Sequence, residues 1–286
     1  MKKLLFLAIM ACMLTSCEEE GPYINFNNET DSGLIDTTYI AGSPQAIQLK
    51  NVLIEDFTGV RCPNCPNAAI QLAALKVSHP GRIVGIAVHA PIYLGTPYSV
   101  SKEDYRNFED TMLWGLFAIQ SIPVGMVDRV KYAPAGMLQP FGNWSADVNQ
   151  RLVNPNSPIN INITKEYDSV TRVLKVLVEV FYNEANTFKN YLSISLIEDG
   201  IIDLQQNGAD IDSFYHHEHI LRKMMTHYEG AFLMENPEAK RVFRKQYKTT
   251  LKAHWKPEHM KIIAFVTKHN DAHDHDVFQV NEIDLK

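Results

Sequence analysis

Two cysteines, Cys62 and Cys65, have the spacing of a redox pair, in the run Cys62-Pro63-Asn64-Cys65. An Ala/Leu/Ile-rich helix is predicted directly after them. A thiol at the start of a helix faces unpaired N–H groups and the positive end of the helix dipole, which stabilise the thiolate. Cys62 is placed on the solvent side to attack, and Cys65, one turn into the helix, is placed to resolve a mixed disulfide. The spacing therefore predicts thiol–disulfide exchange.

An apolar strand and the helix must position this pair. Residues 52–54 predict the strand, and the helix is predicted from apolar residues at helical spacing, namely Ile70, Ala73, Ala74 and Val77. The helix has two alternative starts. Either Cys62 is the N-cap with Pro63 in the first helical position, or Cys65 is the cap and Pro66 follows it.

The segment resembles the thioredoxin superfamily. In that family an acid commonly lies six residues before the first cysteine, buried under the second cysteine, whose proton it takes, and Asp56 stands at this position. A later proline, cis in the family, faces the disulfide; Pro123 matches it, although only about one X-Pro bond in twenty is cis in folded proteins. Arg61 departs from the pattern, since many members carry Trp there, and this leaves substrate choice and redox poise open. The resemblance implies that Asp56 and Pro123 act with the two cysteines.

The first residues predict export. Lys2 and Lys3 precede an apolar run, residues 4–14, that is too short to span a bilayer, which is typical of a secretory signal. Residues 14–17, Leu-Thr-Ser-Cys, resemble a bacterial lipobox. That resemblance implies cleavage before Cys17 and its acylation, so that a lipid anchors the mature protein. The alternative is an ordinary signal peptide with a chance cysteine.

Three glutamates follow Cys17 directly, at residues 18–20. An acidic triplet beside a lipid anchor is repelled by an anionic leaflet. The triplet resembles export signals that send lipoproteins to the outer face of the outer membrane, whereas the plainer interpretation is a solvated linker. We therefore expect an outer-membrane lipoprotein displayed at the cell surface, with a periplasm-facing protein as the alternative.

The cysteine count and the net charge limit the kinds of site and partner that the chain can have. Of the four cysteines, Cys12 leaves with the signal and Cys17 is acylated, so Cys62 and Cys65 form the remaining pair. A bridge across so short a loop contributes only about 2 kcal/mol, which leaves a purely structural role open. A zinc site is disfavoured because there is no second CxxC motif and export favours oxidation. We expect no cofactor, and the net charge of −6 offers no basic surface for nucleic acid.

The order of elements predicts two domains. Residues 82–89 read as a buried parallel strand, and strands and helices alternate before residue 154. From residue 159 apolar residues alternate with polar ones, and a turn at residues 167–169 predicts a hairpin. Residues 201–244 break this pattern and predict loops and a helix.

These patterns predict an α/β thioredoxin-like domain followed by an antiparallel β-sandwich domain. The predicted boundaries are residues 1–16 for the lipoprotein signal peptide, 17–44 for a tether, 45–154 for the thioredoxin-like domain and 155–286 for the β-sandwich domain.

Clustered histidines raise the question of a metal site. His269, His273 and His275 lie among aspartates, and residues 216–219 form a second group. Imidazole and carboxylate groups this close together supply enough ligands for a divalent ion if the loop folds around it. The first group, however, lies between two predicted strands, where a polar hairpin tip needs no metal. We therefore predict no metal site and keep these three histidines as the candidates.

Residues 217–222, His-Glu-His-Ile-Leu-Arg, resemble a motif in the C-terminal part of the outer-membrane protein 28-related lipoproteins. In that family the motif accompanies an N-terminal stretch like residues 55–59 and 62–66 of this chain, Glu-Asp-Phe-Thr-Gly and Cys-Pro-Asn-Cys-Pro. The resemblance covers most of the mature chain. It implies an outer-membrane lipoprotein, for which the family suggests a role as a surface receptor or adhesin.

Two functions follow from these observations. In the first, a thiol–disulfide oxidoreductase, Cys62 attacks, Cys65 resolves, Asp56 shuttles the proton and Pro123 shapes the edge that binds exported proteins or peptides. In the second, a surface receptor or adhesion module, the fold is a scaffold for a surface ligand and Cys62–Cys65 is a permanent disulfide. Site chemistry favours the first function, and surface display favours the second, because no obvious electron donor reaches the outer face.

Overall fold

The computed structural model describes residues 33–269 and 275–286. The predicted signal peptide, the lipidation site Cys17, most of the tether and His273 lie outside these residues. Residues 35–286 form one compact unit. Within the described ranges, no helix is both long enough and apolar enough to cross a membrane.

The described residues form fourteen strands and three α-helices. The strands are β1 (Asp36–Ile40), β2 (Val52–Thr58), β3 (Ile83–His89), β4 (Val124–Val127), β5 (Ile159–Tyr167), β6 (Val173–Tyr182), β7 (Lys189–Glu198), β8 (Ile201–Asn207), β9 (Asp210–His217), β10 (Ile220–Met224), β11 (Ala231–Glu235), β12 (Arg241–Thr250), β13 (Met260–His269) and β14 (Val277–Asp284). The helices are α1 (Cys65–Ser78), α2 (Phe108–Leu116) and α3 (Trp144–Leu152).

The prediction of an α/β thioredoxin-like domain followed by an antiparallel β-sandwich domain is wrong. The chain is mostly β, with 44% strand and 16% helix. Strands from both predicted domains share one eight-stranded sheet in the order β14-β13-β7-β10-β3-β2-β4, with β11 also beside β7. A four-stranded sheet, β1-β12-β6-β5, and the hairpin β8–β9 complete the fold.

Strand β10 explains why the prediction fails. It pairs with β7 on one side and runs parallel to β3 on the other, where Ile220 lies opposite Ala87. This strand belongs to residues 201–244, for which the sequence predicts loops and a helix but which contain β8 to β11 and the start of β12. Pairing between strands so far apart in the chain leaves no periodic signal in a short sequence window.

Predictions from local periodicity are more accurate. The buried strand predicted at residues 82–89 is β3, which runs parallel to β2. The predicted hairpin is the antiparallel pair β5–β6. The two large sheets face each other across a core of aliphatic side chains, among them Ile159, Ile161, Val178, Val180, Ile194, Leu196, Ile262 and Ala264.

Strand β2 is buried on both faces, and its side chains alternate between two helices. Leu53 and Phe57 belong to one core cluster with Leu113 of α2, whereas Ile54 packs in another with Leu72 of α1. Residues of odd and even number on β2 therefore face different environments.

The apolar face predicted for α1 is wrong. Ile70 and Val77 are 67% and 82% exposed, while Leu72 and Leu75 are buried. Because this helix carries apolar residues almost all round, its sequence supports more than one candidate face. Packing against β2 selects the one with Leu72 and Leu75.

Candidate functional site

The two cysteines form a disulfide at the start of α1. The helix begins at Cys65, and Asn64 is its N-cap, so neither predicted start is correct. Cys62 is 1% exposed and Cys65 is 2% exposed. The expectation that Cys62 is the exposed, attacking sulfur is therefore not met in the oxidised protein.

The hairpin β8–β9 covers the cysteine loop. Its backbone joins the loop directly, since Gln206 N–H donates to the Val60 carbonyl at 2.7 Å and Gly208 N–H donates to the Pro63 carbonyl at 2.9 Å. Gly208 forms the hairpin turn with a φ of +59°, a conformation that favours glycine. The hairpin is thus attached to the chain on both sides of Cys62.

A buried glutamine side chain adds to this attachment. Gln205 Nε2 donates to the carbonyl oxygens of Gly59 and Cys62, both at 3.2 Å. Because these carbonyls are buried, the glutamine satisfies acceptors that water cannot reach.

The segment between β3 and α2 encloses the loop from another side. The Arg61 guanidinium donates to the carbonyls of Thr96 and Pro97 at 2.7 and 2.8 Å and lies 4.1 Å from the ring centre of Tyr98. The Tyr98 hydroxyl in turn donates to Gln206 Oε1 at 2.8 Å. Arg61, the departure from the thioredoxin pattern, therefore fastens this segment to the cysteine loop.

Asp56 lies on β2, on the face toward α1, and one of its oxygens, Oδ1, is buried without a hydrogen-bond partner. Burial raises the pKa of this carboxyl to about 7. Asp56 and Cys65 line the same cavity, of about 280 Å³. A carboxyl with such a pKa can both give and take a proton near neutral pH.

The cavity has one apolar wall and one polar wall. Helix α1 supplies aliphatic residues such as Ala69 and Ala73, and the other wall includes His89, Tyr215 and His217. Burial lowers the pKa of His89 to about 3 and that of His217 to about 4, so both imidazoles are neutral at physiological pH. His89 Nδ1 is also buried without a partner.

Pro123 lies apart from this cavity. The Ile122–Pro123 peptide bond is cis, as the resemblance implies. Pro123 leads into β4, whose Val124 lies opposite Phe57 of β2, but it is not among the residues that line the cavity. The structure thus brings Asp56 and Cys65 together at one cavity and leaves Pro123 outside its lining.

The histidine candidates for a metal are only partly described. His275 Nδ1 lies 3.0 Å from His269 Nε2, and the ring of Tyr191 stacks on His269 at 4.2 Å. His273 is outside the described residues. Among the residues that are described, no group of three or more His, Cys, Asp or Glu side chains is arranged to hold a metal ion.

Sequence reasoning missed the contribution of the hairpin. Gln205 and Tyr215 lie in the segment predicted as loops and a helix, and His217 appears in the sequence analysis only within a metal hypothesis and a family motif. One signal was available, because Asn207-Gly208 between two stretches with alternating apolar residues is a strong hairpin indicator. That signal predicts the hairpin but not its position over the cysteine loop.

Comparison with known proteins places the chain in a family. No curated protein sequence matches it significantly. Among solved structures, HBP35 of Porphyromonas gingivalis is similar in fold, with a TM-score of 0.65 and 16% identity over 84% of this chain and 76% of that one. A crystal structure of an Agrobacterium tumefaciens protein gives a TM-score of 0.49 and 12% identity, over 85% of this chain and 97% of the other. Residues 112–286 match the family described as Outer membrane protein Omp28, and since this is more than half of the chain, the protein belongs to the Omp28 family of outer membrane proteins.

Proposed function

We propose that this member of the Omp28 family carries out thiol–disulfide exchange at Cys62–Cys65, with Asp56 as the group that gives and takes the proton. The observation that carries the proposal is the shared cavity of Asp56 and Cys65. A purely structural disulfide needs no proton acceptor beside it. An exchanging pair needs one, because each thiol must lose its proton to attack and a departing thiolate must regain it.

The energetics of Asp56 support a functional role. A buried carboxyl without a partner destabilises a fold, and an amide or an apolar residue at this position would avoid that cost. Residue 56 nevertheless has an unpaired Oδ1 and a pKa raised to about 7. Strongly perturbed carboxyls in cavities are typical of functional sites.

The setting of this chemistry follows from the sequence. Acylation of Cys17 anchors the chain to the outer membrane, and the acidic residues 18–20 direct it to the cell surface. Exchange then takes place outside the cytoplasm, with thiols or disulfides found there as the expected partners.

The reduction potential of the Cys62–Cys65 pair tests the proposal. We expect equilibration of the full chain against glutathione buffers to give a value between about −120 and −270 mV, the span of working oxidoreductases. Thiolate formation should depend on Asp56, so Asp56→Asn should shift the pH dependence of exchange. A value below about −300 mV without thiol reactivity near neutral pH would contradict the proposal.

A second function has its own support. Both sulfurs are buried, and the hairpin β8–β9 binds the loop on either side of Cys62. These contacts are what a permanent disulfide in a surface receptor or adhesion module requires. In that case the full chain should keep its ligand binding after Cys62 and Cys65 are both replaced by Ala, and glutathione should not reduce the wild-type bridge.

A further inference from the structure

We propose that Cys65, and not Cys62, is the sulfur that exchanges with an outside partner, and that the cavity admits a small uncharged thiol or disulfide as that partner. This inference rests on the proposed thiol–disulfide exchange and names the substrate class of the same site. It also reverses the roles that the spacing of the two cysteines predicts.

Access is the first reason. Cys62 is 1% exposed, and the hairpin over it is held by bonds to the carbonyls of Val60, Pro63 and Cys62 itself. Cys65 lines the cavity, and Cys62 does not. A partner that enters through the cavity therefore meets Cys65.

The size of the cavity is the second reason. Its volume of about 280 Å³ exceeds that of an apolar cavity of about 150 Å³ that is known to bind benzene in another protein. A small organic molecule fits this space. A folded protein is too large for it.

Charge is the third reason. Among the described residues that line the cavity, none is Lys or Arg, whereas Asp56 and Glu218 are acids and His89, His216, His217 and His219 are imidazoles. His89 and His217 are neutral at physiological pH because burial lowers their pKa values. With an apolar wall from α1 opposite them, these groups disfavour an anionic thiol and accept a neutral one.

The exchange can be written as a balanced reaction. An incoming thiol, RSH, gives its proton to the Asp56 carboxylate, and the thiolate attacks Cys65 Sγ; the Cys65–Cys62 bond breaks, and Cys62 leaves as a thiolate that takes this proton from Asp56. A second RSH gives its proton to the Asp56 carboxylate, and its thiolate attacks the sulfur of the R group in the mixed disulfide. This step releases RSSR and returns Cys65 as a thiolate, which takes the proton from Asp56. Two thiols are oxidised and one disulfide is reduced.

Limited alkylation of the reduced full chain tests the order of the cysteines. Iodoacetamide and iodoacetate are similar in size but differ in charge, and peptide mapping by mass spectrometry gives the rate at each cysteine. We expect iodoacetamide to modify Cys65 at least about tenfold faster than Cys62, because reactivity follows access to the thiolate. The ratio of the Cys65 alkylation rate with iodoacetamide to the rate with iodoacetate should be larger in the folded chain than in the urea-unfolded chain. Faster alkylation of Cys62, or no preference for the neutral reagent, would overturn the inference.

A matched pair of variants tests the route. Ala73 lines the cavity and Ala74, its neighbour on α1, does not, while both are exposed. Ala73→Trp should fill the cavity and slow alkylation of Cys65 by about tenfold, the effect of lost access. Ala74→Trp should leave that rate unchanged, and circular dichroism should show that both variants fold. Equal rates in the two variants would exclude the cavity as the route.

The outcomes separate this inference from the proposed function. A reduction potential in the range of structural bridges, with neither cysteine reactive, would overturn both. A potential in the range of oxidoreductases together with faster alkylation of Cys62 would overturn only the order of the cysteines and the route. A polymer-linked iodoacetamide that modified Cys65 as fast as free iodoacetamide would overturn the small-partner class alone.

Discussion

Glu55 and Asp56 are neighbours on β2, and both are buried, but their hydrogen-bond partners differ. Both oxygens of Glu55 accept hydrogen bonds from the Arg129 guanidinium at 2.7 Å. This guanidinium also lies near the ring of Phe117, at 4.8 Å, and near the ring of Phe265, at 5.0 Å. Asp56, on the opposite face, has an unpaired oxygen beside a cavity.

The difference separates a paired acid from an unpaired one. On its face, the buried Glu55 carboxylate is paired with the Arg129 guanidinium, which is the usual condition for burying an ion. The face with Asp56 leaves a carboxyl, an imidazole and a disulfide at one cavity. One strand thus carries a structural residue and a candidate functional residue at consecutive positions, because alternation directs them to opposite sides of the sheet.

Removing the charge of Glu55 should have the largest effect. Glu55→Gln leaves Arg129 buried without a carboxylate, and we expect urea unfolding to show a loss of about 3–5 kcal/mol. The control is Asp104→Asn, which breaks the ion pair with Arg106 at the surface. That change should lower stability by less than about 1 kcal/mol. Similar losses in the two variants would remove the distinction between the two faces of β2.

Asp56→Asn should act in the opposite direction and depend on pH. The pKa of Asp56 is raised from 3.8 to about 7 in the folded protein, so the folded state binds this proton more tightly than the unfolded chain. The stability that protonated Asp56 gives to the fold is therefore fully present below pH 3.8 and is lost as the pH rises through about 7. At about 1.4 kcal/mol for each pH unit, the free energy of unfolding of the variant at pH 8 should exceed that of wild type by roughly 4 kcal/mol.

Urea unfolding of wild type and Asp56→Asn across this pH range measures the effect. The difference between the two proteins isolates residue 56 from other titrating groups. A constant difference from pH 4 to pH 8 would mean that Asp56 is not a buried acid with a raised pKa.

Removing the disulfide should change the free energy of unfolding by less than either acid substitution does. Replacing Cys62 and Cys65 with Ala removes a bridge across a very short loop, and we expect a loss of about 2 kcal/mol in urea unfolding. Reduction of the wild-type protein should give a similar loss. A loss as large as that of Glu55→Gln would show that the bridge serves the fold, which favours the receptor or adhesion function.

Gln205→Ala should have the smallest effect on stability. It removes the bonds from its side chain to the Gly59 and Cys62 carbonyls, and we expect a loss of about 1 kcal/mol. The disulfide should also be reduced severalfold faster by dithiothreitol because the hairpin is less firmly attached. Gln279→Ala is the control, since Gln279 is buried and donates to the Leu49 carbonyl, away from the cysteines. Equal reduction rates in both variants would mean that Gln205 does not control access.

The local parts of this structure are readable in the sequence. The strand before the cysteines, the parallel strand β3 and the hairpin β5–β6 follow from apolar periodicity, because each depends on residues close together in the chain. The acid at position 56 was found by a resemblance. Its burial on the α1 face agrees with that expectation, and its cavity could not be foreseen.

The remaining features depend on contacts between distant segments. Cys62 is covered because residues 205–208 reach it from more than 140 positions away, and no spacing within the cysteine loop encodes that contact. The same reason explains the error in the fold class. The sequence of β3 does not reveal that β10 occupies its free edge, and without β10 the two parts of the chain look like separate domains.

The pairing of β10 with β3 has a consequence for the order of folding. More than 130 residues separate Ala87 from Ile220, so closing the eight-stranded sheet requires a long loop to form before its contacts can stabilise it. High contact order slows folding, and the edge of β3 stays unpaired until the C-terminal half is available. A chain that emerges from its N-terminus during synthesis can therefore complete this sheet only after most of it is available. Until then the cysteine loop lacks its hairpin cover, and the two thiols meet their surroundings before the folded protein encloses them.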